Sequence, residues 1–238
     1  MPDALTVSRE ADILTITLAR PEAGNRLSND MAARMADALD AAGPARLVVL
    51  RAQGDDFCLG RDMEPPAPGA QVNAMDVLRD DAAPIVQLYE SLRRLRQPLI
   101  GCVQGRAWGI GLVLAGVCDY TLAASNAGFR LRELERGIPP VIAMAPLLER
   151  MPTKAIGALV YSAEEENAAW ALATGLLSKV VPPHELDAHL QALTQRLLGF
   201  PQPALEAVKQ YLGSAPRGQD TAAVLYGASL LANVLGSR

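Results

Sequence analysis

The stretch from Gly101 to Tyr120 limits most what this chain can fold into, because it packs a strand, a glycine turn and a buried helix into twenty residues. The run Pro98 to Val103 is short and uncharged, as a buried strand is. Gly105, Gly109 and Gly111 then allow a sharp turn and a close approach of backbone to another group. Leu112 to Val117 is apolar throughout and reads as a buried helix ending near Asp119. A strand, a glycine turn and a helix start together aim free N–H groups and the positive end of a dipole into one space. That space suits an anion, or an oxygen that becomes one during a reaction.

A nucleotide loop is the first candidate to test. Gly109-Ile110-Gly111 followed by Gly116 places the third glycine of G-x-G-x-x-G two residues late. The motif should also open a βαβ unit with an acidic residue about 20 positions on, and Asp119 comes too soon. No G-x-x-x-x-G-K-[ST] occurs. Dinucleotide and P-loop binding are therefore set aside.

The chain has 238 residues, half of them apolar, enough for one large core or for a domain with a small appendage. A net charge of -4 offers nothing to nucleic acid or to an anionic membrane. No apolar run approaches the roughly 18 residues of a membrane span. The first ten residues hold Asp3, Arg9 and Glu10, so no secretion signal is expected. Cys58, Cys102 and Cys118 sit in apolar or glycine-rich contexts and read as reduced core thiols. These features predict a soluble cytoplasmic protein.

Taken in order, Leu5 to Leu18 reads as a strand or hairpin and Arg20 to Asn25 as a turn. Ser28 can cap a helix with Met31, Met35, Ala38 and Leu39 on one face. Leu47 to Leu50 is a short buried strand, and Pro65 to Gly69 a surface loop. A helix is predicted from about Ala83 to Arg96, with Ile85, Leu88, Leu92 and Leu95 inward. Tyr120 to Ala124 is another strand, and Ala127 to Leu131 is expected to extend the same sheet. From Ala143 to Leu198 the pattern is mostly helical, broken by Pro152 and Pro182-Pro183. Strands and helices alternate early and helices dominate late, which predicts an α/β core with a helical C-terminal region.

Few residues announce chemistry. His184 and His189 lack the spacing and partners of a zinc site, so no metal is expected. No serine sits in a G-x-S-x-G elbow. Glu164-Glu165-Glu166 reads as a charge run near a helix start. In Arg130 to Gly137, Glu133 and Glu135 would share a face of a strand but lie roughly 200° apart on a helix. The pattern does not decide which turns inward.

Several segments together resemble the crotonase (enoyl-CoA hydratase/isomerase) superfamily. Arg20-Pro21 with Asn25 and Leu27-Ser28 resembles its R-P-x-x-x-N-A-L-S opening, and Phe57 to Met63 its F-x-A-G-x-D loop. Val103 to Tyr120 is similar to V-x-G-x-A-x-G-G-G-x-x-L-x-x-x-C-D, and Glu133 to Pro139 to P-E-x-x-x-G-(I/L)-x-P. Ala171 with Gly175 to Pro182 resembles A-x-x-x-G-L-V-x-x-V-V-P. The five matches run in order over nearly the whole chain.

The resemblance implies a spiral core of ββα units over residues 1–195. It also implies a shortened C-terminal helical segment, 196–238, for capping and for assembly into a homotrimer or dimer of trimers. It implies an acyl-CoA thioester as substrate, coenzyme A being part of that substrate and no separate cofactor being needed. The N–H groups of Arg61 and Ile110 then form the hole for the thioester oxygen, a role whose loss costs about 2.7–4 kcal/mol per donor in acyl-transfer sites. Asn25, Arg26 and Leu27, with Leu59, Gly60, Asp62 and Met63, fall in the coenzyme A cradle, and Trp108, Gly109 and Val113 near the acyl group.

The family's hydratases hold water between two glutamates. Here Val113 stands at the first position and Glu133 at the second, which leaves Glu133 as single general acid/base. One base suffices to shift a double bond, so the favoured expectation is an enoyl-CoA isomerase. A hydratase or hydratase-lyase is the alternative, and a catalytically weak acyl-CoA-binding member the third. Tyr161 and Trp108 are candidate pocket aromatics.

Overall fold

The computed structural model describes residues 3–62, 73–214 and 221–236. Met63 and the proline-rich stretch 65–69 lie outside them. The strands are β1 (Leu5–Glu10), β2 (Ile13–Leu18), β3 (Leu47–Ala52), β4 (Leu99–Val103), β5 (Arg106–Trp108), β6 (Tyr120–Ala124), β7 (Gly128–Arg130), β8 (Glu166–Asn167) and β9 (Lys179–Val181). The α-helices are α1 (Asn29–Asp40), α2 (Ala74–Asp76), α3 (Ala83–Arg94), α4 (Ile110–Val117), α5 (Val141–Leu147), α6 (Thr153–Ser162), α7 (Ala168–Ala173), α8 (Leu186–Leu198), α9 (Gln202–Ser214) and α10 (Thr221–Gly236). A π-helical turn, Val77–Ala82, joins α2 to α3.

A six-stranded sheet runs β1-β2-β3-β4-β6-β9; only the β1–β2 hairpin in it is antiparallel. Parallel strands covered on both faces read as unbroken apolar runs, and Leu47 to Leu50 of β3 and the whole of β4 do so. Val48 and Leu50 of β3, with Leu99 and Val103 of β4, enter the larger core beneath α1, α3 and α4. Val49, Ile100 and Cys102 point the other way, into a smaller core closed by Leu186 and Leu190 of α8. Ser28 caps α1 as expected, its Oγ accepting from the N–H of Met31.

Four expectations change. Residues 128–130 do not extend the main sheet: β7 joins β5 and β8 in a separate three-stranded sheet. The glycine turn contains β5, three residues long and too short to leave a periodic signal. Strands β8 and β9 interrupt the region read as helical, β9 adding the last strand of the main sheet beside β6. Helix α3 ends at Arg94 rather than Arg96, because Leu95 turns to extended backbone (ψ 124) ahead of Pro98. Residue 195 lies within α8, and α9 begins at Gln202 after Gly199 to Pro201.

Candidate active site

Two chain segments run side by side and stop at the same level. Cys58 and Ala107 form a parallel bridge, with Cys58 N–H donating to Arg106 C=O and Trp108 N–H to Cys58 C=O. Three residues beyond the bridged pair on each segment stand Arg61 and Ile110. On the outer side of the first segment, Leu27 N–H donates to Gly60 C=O and Asp62 N–H donates to Leu27 C=O. That pairing uses the residues flanking Arg61, so the N–H of Arg61 points away from Leu27. Ile110 opens α4, and the first N–H groups of a helix have no partner within it. Neither N–H donates to a carbonyl among the described residues.

Glycine makes this approach possible. A Cβ at Gly111 would lie 2.3 Å from the carbonyl oxygen of Cys58, so α4 packs directly on the neighbouring backbone. Gly109 takes the left-handed turn (φ 53) that starts the helix, and its N–H is held by Arg130 C=O at 2.8 Å. Ile110 itself is not among the residues of positive φ, so its branched side chain carries no strain and is buried.

Glu133 begins a single 3₁₀ turn, Glu133–Arg136. A Cβ on Gly109 would sit 3.0 Å from Glu133 Oε1 and 3.5 Å from Gly60 Cα. The carboxylate, the helix start and the end of the 58–61 segment therefore face one small space. Burial holds the Glu133 carboxyl above the usual carboxylate range, opposed in part by its own backbone N–H and by the charges of Arg136 and Arg132. Its Oε2 is buried with no hydrogen-bond partner among the described residues. Glu135 faces outward and pairs with Arg130 at 2.6 Å and Arg132 at 3.3 Å, which settles the choice that the sequence pattern left open.

The family model described as Enoyl-CoA hydratase/isomerase matches residues 8–234. The chain belongs to the enoyl-CoA hydratase/isomerase family. It is 32% identical over 212 residues to the 2,3-dehydroadipyl-CoA hydratase of Escherichia coli K12, covering 87% of this chain and 81% of that one. It is 31% identical over 210 residues to the crotonyl-CoA hydratase of Syntrophomonas wolfei, covering 86% and 79%. The crystal structure of an enoyl-CoA hydratase from Mycobacterium smegmatis superposes with a TM-score of 0.90 at 26% identity, over 98% of this chain and 91% of that chain. A Thermobifida fusca enoyl-CoA hydratase homologue in complex with acetoacetyl-CoA gives 0.86 at 26% identity, over 99% and 96%.

Within this crotonase fold the residues singled out from the sequence divide into two groups. Gly60, Gly109, Glu133 and the backbone of Arg61 and Ile110 come together as described. Val113, 0% exposed, lies one turn into α4 and brings no polar atom. Arg26 is exposed, its Nη1 donating to Leu59 C=O at 3.0 Å, and Asp62 pairs with Arg20 at 2.8 Å.

Asn25 and Leu27 support the loop from beneath, since both are fully buried. The Asn25 amide donates to Gln53 C=O and Asp56 C=O, and its Oδ1 accepts from Arg20 N–H. The Trp108 indole is engaged elsewhere: its N–H donates to Glu165 at 2.6 Å, and Arg106, Arg130 and Arg132 lie 5.1–5.9 Å from its ring. Glu165, read as part of a plain charge run, thereby fastens β5. Tyr161 is 86% exposed on α6.

One residue, and the side chain of another, escaped the sequence reading. Tyr89 on α3 and the Arg61 side chain each bury a polar atom without a partner among the described residues, Oη and Nε. Arg61 is fixed by Nη1 donating to Asp81 C=O and Nη2 to Asn29 Oδ1. Tyr89 also lines a mostly apolar cavity of about 510 Å³ with Val86, Val117, Val141, Ile142 and Pro146. One sequence signal for Tyr89 was its place beside Leu88 in the inward stripe of α3.

Proposed function

We propose that this protein binds an acyl-CoA thioester and moves a proton at its α-carbon. The thioester oxygen sits between the N–H groups of Arg61 and Ile110, and Glu133 is the base. The observation that carries this reading is the shared space: Glu133 Oε1 lies 3.0 Å from where a Gly109 Cβ would be, at the start of α4. When the proton leaves, negative charge grows on the thioester oxygen. Fixed donors at the positive end of a helix meet that charge without rearranging. Arg26 and the Leu59 to Asp62 loop form the outer cradle for coenzyme A, which arrives as part of the substrate, so the cycle needs no separate cofactor. The cavity beside Tyr89 takes the acyl chain.

With Val113 apolar, Glu133 is the only carboxylate in the proposed reaction. The simplest cycle is a double-bond shift, in which Glu133 removes a proton at C2 and returns it at C4 through a delocalised dienolate. A second reading, water addition to a 2-enoyl thioester, draws support from the relatives at 31–32% identity that are named hydratases. Apolar side chains left exposed on α9 and α10, among them Val208, Leu212, Leu231 and Leu235, suit the trimeric assembly that the family resemblance implies.

The test is proton exchange at the α-carbon of butyryl-CoA in heavy water. Exchange by the wild type that disappears in Glu133→Gln is the expected result. Thioester binding without exchange would leave a binding protein and overturn the mechanism.

A further inference from the structure

We propose that Arg130 is a positioning residue that sets the distance between the base and the donors for the thioester oxygen, acting through Glu135. The role rests on the reading of Glu133 as the base. Arg130 is the last residue of β7 and lies opposite Trp108 of β5. Its C=O accepts from the N–H of Gly109 at 2.8 Å, and so grips the donor side one residue before Ile110. Its side chain reaches the base side: Nη2 donates to Glu135 Oε1 at 2.6 Å, within the turn that carries Glu133. Nε donates to Ala163 C=O at 2.6 Å, at the C-terminal end of α6, where free carbonyls favour a cation. A guanidinium is a rigid planar fork, so bonds at both Nε and Nη2 fix its direction as well as its reach. The backbone and side chain of one residue therefore hold the start of α4 and the base turn together.

The turn needs such a hold. None of Glu133, Leu134, Glu135 and Arg136 is fully buried, so little apolar burial anchors it. Ile138 N–H donates to Glu133 C=O at 3.0 Å and Gly137 N–H to Leu134 C=O at 3.0 Å, bonds that shape the turn without fixing its place. Arg132 reaches Glu135 at 3.3 Å but adjoins the turn and moves with it. Arg130 instead ties that carboxylate to β7, which is held by β5 on one side and β8 on the other. The pair is partly exposed and adds little to stability. Its value is geometric, since displacing a reacting group by about 1 Å can cost about 100-fold in rate. The grip falls on Glu135, two residues past the base, so it sets the backbone of the turn and not the Glu133 carboxylate.

The α-proton exchange of butyryl-CoA in heavy water is measured on wild type, Glu133→Gln, Glu135→Ala, Glu135→Gln, Arg130→Met and the Arg130→Met/Glu135→Ala double variant. Expected for Glu135→Ala is a kcat about 10–100-fold lower with KM changed less than about twofold. Glu135→Gln keeps an oxygen for Arg130 Nη2 and should recover most of that rate, whereas a charge effect on Glu133 would appear in both variants. In the Arg130→Met background Glu135→Ala should cost nothing more, because the two side chains act as one unit. An unchanged kcat in Glu135→Ala, an equal loss in Glu135→Gln, or losses that multiply in the double variant overturns the role of Arg130 while exchange still vanishes in Glu133→Gln. Exchange absent from the wild type, or surviving Glu133→Gln, overturns the base reading and the positioning role with it. The Glu135 variants change only a partly exposed carboxylate, so they decide the matter even if Arg130→Met does not fold.

Discussion

The two walls of the site are built to different tolerances. On the donor wall, residues 57–61 and 105–113 lock backbone against backbone. A Cβ at Gly105 would lie 1.9 Å from the carbonyl oxygen of Asp55, and one at Gly111 2.3 Å from that of Cys58. Ile110, Leu112 and Val113 beside them are buried. On the base wall, a Cβ at Gly137 would meet nothing within 4 Å. Leu134, Ile138, Val141, Ile142 and Leu148 there are exposed in this chain. The difference follows from the two tasks proposed. Donors that stabilise a developing charge lose value when displaced by even 1 Å. A carboxylate serving two atoms of a substrate in turn tolerates, and needs, some travel.

The comparison breaks most completely at Gly105. Gly105→Ala adds a backbone collision to a strained φ of 53°. The expected loss is above about 4 kcal/mol, the range reserved for core disruption, and thermal unfolding would show either no native transition or a sharply lowered one. An intact fold would mean that the donor wall yields.

Glu133→Gln comes next. It should lower proton exchange by about 10²–10⁴-fold without harming the fold. The pH dependence carries a definite sign. The folded carboxyl titrates above its unfolded value, so the native state binds more protons between the two. Stability from this group is fully present below the unfolded value and is lost as pH rises through the folded one. Activity runs oppositely, since the base must be ionised, and its acid limb should lie above the usual carboxylate range. Denaturant midpoints at neutral pH should therefore be higher for Glu133→Gln than for wild type, while the limb vanishes from its rate profile.

Smaller effects fall on the base wall. Gly137→Ala meets no atom but must keep a φ of 69°, which costs about 1–2 kcal/mol. A far larger loss in urea melts would show that this wall is as tightly built as the other. Tyr89→Phe should raise stability by about 1 kcal/mol, because it removes a buried hydroxyl with no partner among the described residues. A drop in melting temperature would mean that the hydroxyl is satisfied in the folded protein.

Legibility in the sequence followed the same division. The donor wall was readable because glycine spacing and an apolar run carry backbone information: the anion-type space at the start of α4 followed from Gly105 to Val117 alone. The role proposed for Glu133 came from the family resemblance, since the alternation of Arg130 to Arg136 suits either glutamate facing inward. Only tertiary packing, which ties Glu135 to Arg130 and Arg132, separates them. Strands β5, β8 and β9 were missed because segments of two or three residues have no period to detect. Tyr89 was passed over because an aromatic in an amphipathic helix reads as core, and its unsatisfied hydroxyl appears only when its neighbours are known.

The three thiols give this protein a built-in record of how it opens. Cys58 and Cys118 lie in the larger core and Cys102 in the smaller one under α8. Burial holds Cys58 and Cys102 at about 11 and Cys118 at about 12, so none is a nucleophile while the fold is closed. Alkylating reagents can therefore react only as fast as each face exposes its thiol. Peptide mapping after timed labelling would give Cys102 its own rate if α8 lifts independently, and a common rate for all three if the sheet loses both covers at once.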